Sequence, residues 1–311
     1  MPAPIALFIY NRPDHLSKTL SALRLNLLAR ESDLIVFSDG PKSELDAGPV
    51  NECRRIASAE KGFASVRVEI SLHNRGLANS IIAGVTSVLE SYGKIIVLED
   101  DIVTSPHFLW YMNEALAWYR DDNHVFSISG YSYPPEYLVI PNDYCYDNFA
   151  SYRFSSWGWA CWNDRWSKVD WEMKYYDYFI RDQSAQSDFN RGGNDLTSML
   201  VLQKRGRIDS WAIRFAYAHF SLNQHCIYPV KTLVKNIGLD NSGTHTGASP
   251  MYSHKYLDPE WKPQRFCPGN LIDHRITRAF YTAASPPKIS TCRRVLNKLL
   301  KMSSLRTYLN T

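Results

Sequence analysis

At 311 residues, 45% of them apolar, the chain can bury a sizeable core as one large domain or two small ones. With 35 basic against 31 acidic residues the formal charge is only +4, which gives no indication of a nucleic-acid partner. The six cysteines (53, 145, 161, 226, 267 and 292) form no CxxC pair, which argues against a zinc site and fits free thiols in a reducing compartment.

No apolar run approaches a membrane span, and the first strand is predicted almost at once, with no signal peptide before it. A cytosolic protein is therefore expected. Residues 5–10 (IALFIY) read as a buried strand ending in Asn11-Arg12-Pro13. Leu16, Leu20, Leu23 and Leu27 then mark one face of a helix that starts near Pro13 or Asp14. Leu34-Ile35-Val36-Phe37 is a second strand, ending in Ser38-Asp39-Gly40. A helix is predicted over 51–59, and an alternating strand over 66–72, ending in His73-Asn74-Arg75-Gly76. Leu77, Ile81, Val85 and Val88 mark a third helix, stopped by Gly93.

The fourth strand, Ile95-Ile96-Val97-Leu98, is apolar enough to be buried on both faces, and it runs straight into Glu99-Asp100-Asp101. Strand alternation would send Glu99 and Asp101 to one side and Asp100 to the other. Clustered acids at an apolar lip repel one another and lose hydration, a cost that a cation or ligand donors would offset. The bland alternative is an acidic turn facing water. Strands alternating with helices predict an α/β fold with a mostly parallel central sheet flanked by helices. Four strand ends rich in polar residues then point to one crevice, where ligands of open α/β sheets bind. Neither GxGxxG nor GxxxxGK[ST] occurs, so a dinucleotide fingerprint and a P-loop are absent.

Ser105 is the expected cap and Pro106 the first residue of a further helix, and residues 125–129 read as a strand. Residues 131–150, rich in Pro, Tyr and Asn, read as loop. Trp157-Gly158-Trp159 opens an aromatic stretch that could stack on sugar rings, Gly158 allowing close backbone approach, or could be core packing. Helices are predicted over 196–204 and from about 208 to 219, with short strands at 226–229 and 232–234. The segment through Asn236-Ile237-Gly238 and Gly243-Thr244-His245-Thr246-Gly247 is expected to fold back onto the acidic strand. Residues 288–311 carry six basic side chains and no acid beside an apolar face, which suits an anionic membrane surface or docking on the protein's own domain.

These motifs together resemble the GT-A glycosyltransferases, a Rossmann-like fold, and among them the N-acetylglucosaminyltransferase I type and its bacterial relatives. The resemblance runs from residue 5 to about residue 247. It rests on Asn11-Arg12-Pro13, on Glu99-Asp100-Asp101 followed by Ser105-Pro106-His107-Phe108, on Trp157-Gly158-Trp159, and on Asp209-Ser210-Trp211 through His245. It implies a nucleotide-sugar-binding half over 1–130, an acceptor-binding and catalytic half of the same domain over 131–285, and a basic amphipathic tail over 286–311. It implies Mn²⁺ or Mg²⁺ held by Asp101, with His245 as second ligand or diphosphate contact. Asn11, Arg12, Asp39, Arg75, Glu99 and Asp100 would hold the nucleotide-sugar, with UDP-sugar preferred. Trp157, Gly158 and Trp159 would line the sugar and acceptor pocket. Asp209 is the implied general base, with Asp195 as the rival; for Asp209 a helix cap is an equal reading.

The chemistry needs these residue types. Hard oxygen ligands hold a divalent ion against a diphosphate leaving group, and a carboxylate must take the proton of a poorly nucleophilic hydroxyl. One carboxylate well apart from the metal acids fits inversion. No anchor and stem like those of eukaryotic members are expected. A bacterial enzyme peripheral to the inner face of the cytoplasmic membrane is therefore expected, acting on a glycan or lipid-linked glycan in surface polysaccharide synthesis. Two other classes stay open. A sugar-nucleotide pyrophosphorylase would need a glycine-rich N-terminal loop that Asn11-Arg12-Pro13 does not supply. A non-catalytic carbohydrate- or nucleotide-binding protein would be favoured by loss of the metal acid or the base.

Overall fold

Runs of aliphatic residues that cannot be solvated become the strands of one sheet. The computed structural model describes residues 1–239 and 256–285. The first half alternates strand and helix: β1 (Ile5–Ile9), α1 (Pro13–Arg24), β2 (Asp33–Ser38), α2 (Glu44–Ser58), β3 (Ser65–Ile70), α3 (Leu77–Tyr92) and β4 (Lys94–Glu99). β5 (Ile102–Thr104), α4 (Phe108–Trp118) and β6 (Val125–Ser129) follow. Then come β7 (Asn148–Ser151), β8 (Trp159–Trp162) and the short helices α5 (Asn163–Trp166), α6 (Tyr176–Phe179) and α7 (Gln183–Phe189). α8 (Leu196–Lys204), α9 (Trp211–Ser221), β9 (His225–Pro229), β10 (Val234–Asn236) and α10 (His274–Ala284) complete the described residues.

Eight strands form the sheet in the order β3-β2-β1-β4-β8-β6-β9-β7. β3, β2, β1 and β4 are mutually parallel, β8 is antiparallel to both β4 and β6, and β9 runs parallel to β6. The chain builds outward from β1 to β3, then crosses to place β4 on the other side of β1. That reversal opens a crevice between the C-terminal ends of β1 and β4. Right-handed crossovers put α1 and α2 together on one face and α3 on the other, beside α5 and α9. The sheet has the expected α/β, mostly parallel form, with helices on both faces. Ile95, Ile96, Val97 and Leu98 of β4 are fully buried, as a strand covered on both faces requires.

Several boundaries differ from the sequence reading. α2 starts at Glu44 rather than 51, tolerating Pro49 in its second turn at the cost of one helical bond. α4 starts at Phe108, because the Ser105 N–H extends the neighbouring ladder to the Leu233 carbonyl (2.8 Å) and keeps that residue extended. Its cap comes from afar: the buried Asn26 side chain accepts the Leu109 N–H (2.9 Å) and donates to Thr104 Oγ1 (2.8 Å). The predicted loop 131–150 ends in β7, which pairs with β9. The strand expected at 232–234 lies at Val234–Asn236, antiparallel to β5. β8 and α10 lie outside the predicted elements, although Ile276, Phe280, Ala283 and Ala284 of α10 fall on one helical face.

His219, on α9, is 2% exposed, with Nδ1 2.8 Å from the Phe215 carbonyl and Nε2 2.7 Å from Ser127 Oγ. The neutral ring satisfies both by donating from Nδ1 and accepting the hydroxyl at Nε2. Burial pushes its pKa down from 6.5 to about 3. Between those values the unfolded chain binds a proton that the folded chain does not. The contribution to stability is therefore complete above pH 6.5 and lost as the pH falls toward about 3. Urea unfolding across that window should show falling stability, and His219→Gln should flatten the slope. An unchanged slope would exclude this residue.

Candidate functional site

The crevice at the β1–β4 switch is closed by charge. β4 stops at Glu99, so strand alternation stops too, and Asp100 and Asp101 both turn toward Arg12 at the start of α1. Arg12 Nη2 donates to Asp100 Oδ1 in a very short bond, and Nη1 donates to Asp101 Oδ2 at 3.0 Å. The Tyr10 N–H donates to Asp100 Oδ2 (3.2 Å), and Thr19 Oγ1 donates to the Asp100 carbonyl (2.8 Å). Asp100 is 2% and Asp101 8% exposed. Burial pushes the Asp100 carboxyl up to about 6, although Arg12 opposes the rise. Burial also opposes the Arg12 charge, but the two aspartates outweigh it and raise its pKa.

Glu99 is half-buried and has no hydrogen-bond partner among the described residues. Burial, then Asp101, then Asp100 push it up to about 8, with Arg12 too weak a counterweight. It is the one acid of the three left uncompensated by the described residues.

The strand pair β5–β10 brings the next segment back over this lip, as expected for residues 236–238. The Ile237 N–H donates to the Asp101 carbonyl (2.9 Å), and the Gly238 N–H to Asn236 Oδ1 (2.7 Å). Any side chain at Gly238 would overlap the Asp101 carboxylate and the Arg12 guanidinium, so only glycine fits. His245 and residues 288–311 lie outside the described residues.

The other strand ends meet at the same edge, but several of their side chains are already engaged. Asp39, at the end of β2, accepts the N–H groups of Gly40 (2.9 Å), Arg75 (2.9 Å) and Gly76 (3.0 Å). It shapes the turn that carries Arg75, whose side chain is exposed. Asn11 Nδ2 donates to Asp46 Oδ1 (2.8 Å), which ties the first turn to α2.

Would a divalent cation fit here? Among the described residues no three His, Cys, Asp or Glu side chains converge as a metal group. Glu99 and Asp101 nevertheless offer hard oxygens, and the raised Glu99 pKa means that a nearby cation would favour its ionised form. Magnesium-type ions need only one or two carboxylates when waters and substrate phosphates fill the remaining positions. The donor set fits such an ion.

An aromatic cleft lies at the start of β8. Val97 of β4 pairs with Trp159, the first residue of β8, and Trp157 sits in the bend before it. Trp157 packs edge-on to Tyr131 (4.7 Å between ring centroids), and both line a cleft of about 210 Å³ with Tyr133, Arg153, Ser156 and Met199. That is smaller than the roughly 300–1,000 Å³ of sites for drug-sized ligands, and suits a single ring. Arg153 reaches out of it to Asp195, Nη1 to Oδ1 at 2.7 Å and Nη2 to Oδ2 at 2.9 Å. This two-pronged pair fixes the Asp195 carboxylate at the start of α8.

Two expectations for the aromatic motif fail. Trp159 is fully buried among Phe154, Trp166, Trp211 and Phe215 and has no face free for a sugar. Gly158 is required by its positive φ (61°) and by Phe108 and Val234 packed against it, not by close approach to a ligand. Asp209 does not cap α9; the Ser210 hydroxyl does, accepting the Ile213 N–H (3.3 Å). Asp209 is exposed, 3.6 Å from Arg214, and does not line the cleft. Arg153 and Gly238 were missed in the sequence. Their signals were a lone cation inside an aromatic run and a glycine in a segment expected to return to the lip.

No family model matches the chain, and no curated protein matches it. Among solved structures, it is similar to a mannosyltransferase from Pyrobaculum calidifontis in complex with GDP-Man and Mn²⁺. Identity is 13% over 71% of this chain and 72% of that one, with a TM-score of 0.38. It is also similar to S. aureus TarS residues 1–349, at 10% identity over 76% of this chain and 61% of that one, TM-score 0.40. A third is described as a mannose-1-phosphate geranyltransferase from Thermus thermophilus, at 13% identity over 75% of each chain, TM-score 0.38. Overlaps this loose carry nothing about what the present chain binds or does.

The state of Glu99 gives a direct test. Its raised pKa means that folding is opposed increasingly as pH climbs from 4.5 toward about 8. Glu99→Gln should therefore raise the Tm of the ligand-free protein near the top of that range, at roughly 2–4 °C per kcal/mol, and leave it unchanged below pH 4.5. An unaltered Tm throughout would mean that the carboxylate is already solvated or paired.

Proposed function

We propose that this chain is a metal-dependent glycosyltransferase that moves a sugar from a nucleotide-diphospho-sugar to a hydroxyl of a glycan or lipid-linked glycan. The observation that carries this reading is the uncompensated Glu99 beside Asp101 at the sheet's switch point.

Glu99 and Asp101 would hold Mn²⁺ or Mg²⁺, which when bound neutralises charge on the diphosphate leaving group. Arg12 brings a permanent positive charge to the same crevice. Arg75, at the rim, is suited to the nucleotide, and Asp39 and Asn11 set the shape of that rim. Trp157 and Tyr131 line the cleft that would take the sugar. UDP is the preferred nucleotide, by resemblance to the N-acetylglucosaminyltransferase I type.

On the acceptor side Asp195 is the stronger candidate for the base, because its partner Arg153 lines the cleft while Asp209 stands exposed beside Arg214. Arg153 keeps the Asp195 carboxylate aimed, and the remaining lone pairs of its oxygens can accept the hydroxyl proton. A single acceptor-side carboxylate apart from the lip supports inversion at the anomeric carbon. The basic stretch 288–311 is suited to bring the protein to an anionic membrane carrying a lipid-linked acceptor, from the cytoplasmic side.

Thermal-shift measurements with UDP, GDP and CMP, each with and without Mn²⁺, test the donor site. Stabilisation is expected only with nucleotide and metal together, and Asp101→Ala should abolish it. Stabilisation by free sugar without metal would instead favour a non-catalytic carbohydrate-binding protein. For the base, Asp195→Asn should lower turnover by about 100- to 10,000-fold with donor binding intact, while Asp209→Asn stays near normal. The reverse pattern would return the role to Asp209.

A further inference from the structure

A second concavity lies on the far side of the segment that carries Asp195. It is a groove of about 690 Å³ between α7 with the turn after it and the outer face of α10. Its walls include Gln183, Asn194, Arg191, His274, Arg278 and Tyr281, and no carboxylate lines it. The nearby acids are turned to other tasks. Asp182 caps α7, accepting the N–H groups of Ser184 (2.8 Å) and Ala185 (3.0 Å). Asp273 caps α10 and pairs with Arg275 (2.7 Å). Asp188 holds only the Nε of Arg191, its carbonyl accepting at 3.2 Å and its carboxylate lying 3.8 Å away, which leaves the two terminal nitrogens of the fork.

Some of the groove's polar groups are engaged, Gln186 Nε2 with the Ile180 carbonyl (3.0 Å) and Asn190 Oδ1 with the Thr197 N–H, but others are available. The Arg278 guanidinium and the side-chain amides of Gln183 and Asn194 have no hydrogen-bond or ion-pair partner among the described residues. Arg191 lies over the Tyr152 ring (4.0 Å), which orients its planar fork. The Tyr281 ring is 38% exposed at the edge. Amides that both donate and accept suit sugar hydroxyls, an exposed ring suits a sugar face, and arginine forks suit a carboxylate or phosphate.

The walls are rigid. Ile276, Phe280, Ala283 and Ala284 bury the inner face of α10, and Phe280 packs on Phe149 and Tyr228. The Asn194 N–H donates to Ser285 Oγ (3.1 Å), and Asn190 Oδ1 accepts the Thr197 N–H (2.9 Å). Residues 190–195 therefore form a partition. Asn190, Arg191 and Asn194 face the groove, and Asp195 is held by the arginine of the aromatic cleft.

We propose that this groove binds an anionic saccharide, the carboxylate- or phosphate-bearing part of an acceptor glycan whose reacting end enters the aromatic cleft. The link to the acceptor rests on the glycosyltransferase reading; the binding itself does not. Isothermal titration of the full chain, without donor or metal, separates the two. Trigalacturonate serves as the carboxylate probe, mannose 6-phosphate as the phosphate probe, and maltotriose as the neutral control. Saturable binding of at least one anionic probe is expected. It should exceed maltotriose binding, weaken with added salt, and fall at least about tenfold in Arg191→Gln/Arg278→Gln. No binding of either anionic probe, or binding unchanged in that variant, would overturn the proposal. Hexaglutamate binding as tightly as the better saccharide would overturn the assignment to a glycan, since charge alone would then be read. Groove binding that persists in a protein without transferase activity would leave this site standing and remove the function proposed above.

Discussion

The Arg12 guanidinium, clamped between Asp100 and Asp101, is the contact on which the rest of the crevice depends. It joins the ends of β1 and β4, the two strands that diverge at the sheet's reversal. Two buried carboxylates next to a third would not stay folded without a counter-charge. Arg12 provides one positive charge for three acids, and the shortfall falls on Glu99. The lip is stable enough to form and remains electrostatically unsatisfied.

The same economy appears on the other side of Trp157. Asp195 is matched one-to-one by Arg153, so that pair is oriented rather than strained. One carboxylate cluster thus lacks positive charge while its neighbour is balanced.

Much of this was legible in the sequence, for identifiable reasons. Ile95 to Leu98 followed by three acids could only be a covered strand with a charged end, and the spacing of strands and helices required a parallel arrangement. The return of residues 236–238 to the lip was also readable, though the reason for Gly238 was not, because it lies in contacts with Asp101 and Arg12 more than a hundred positions away. The aromatic stretch misled most. Trp157 and Trp159 differ by two residues, yet one lines a cleft and the other fills the core, because β8 begins between them. Asp209 stood next to a cap residue and looked like part of a motif, whereas Asp195 drew its significance from an arginine 42 positions earlier. The α4 start failed likewise: its cap comes from Asn26, 83 positions away, which no local pattern encodes.

The antiparallel insertion of β8 between β4 and β6 bears on how this molecule can be divided. The first four strands look like a self-sufficient nucleotide-binding cassette, but the backbone of Ile95, Ile96 and Val97 finishes its ladder only on residues 159–161. Severed after β6, such a cassette would present a bare aliphatic margin, a template for self-association. A break at that point leaves an unpaired sheet edge on each side, so neither half closes its own sheet.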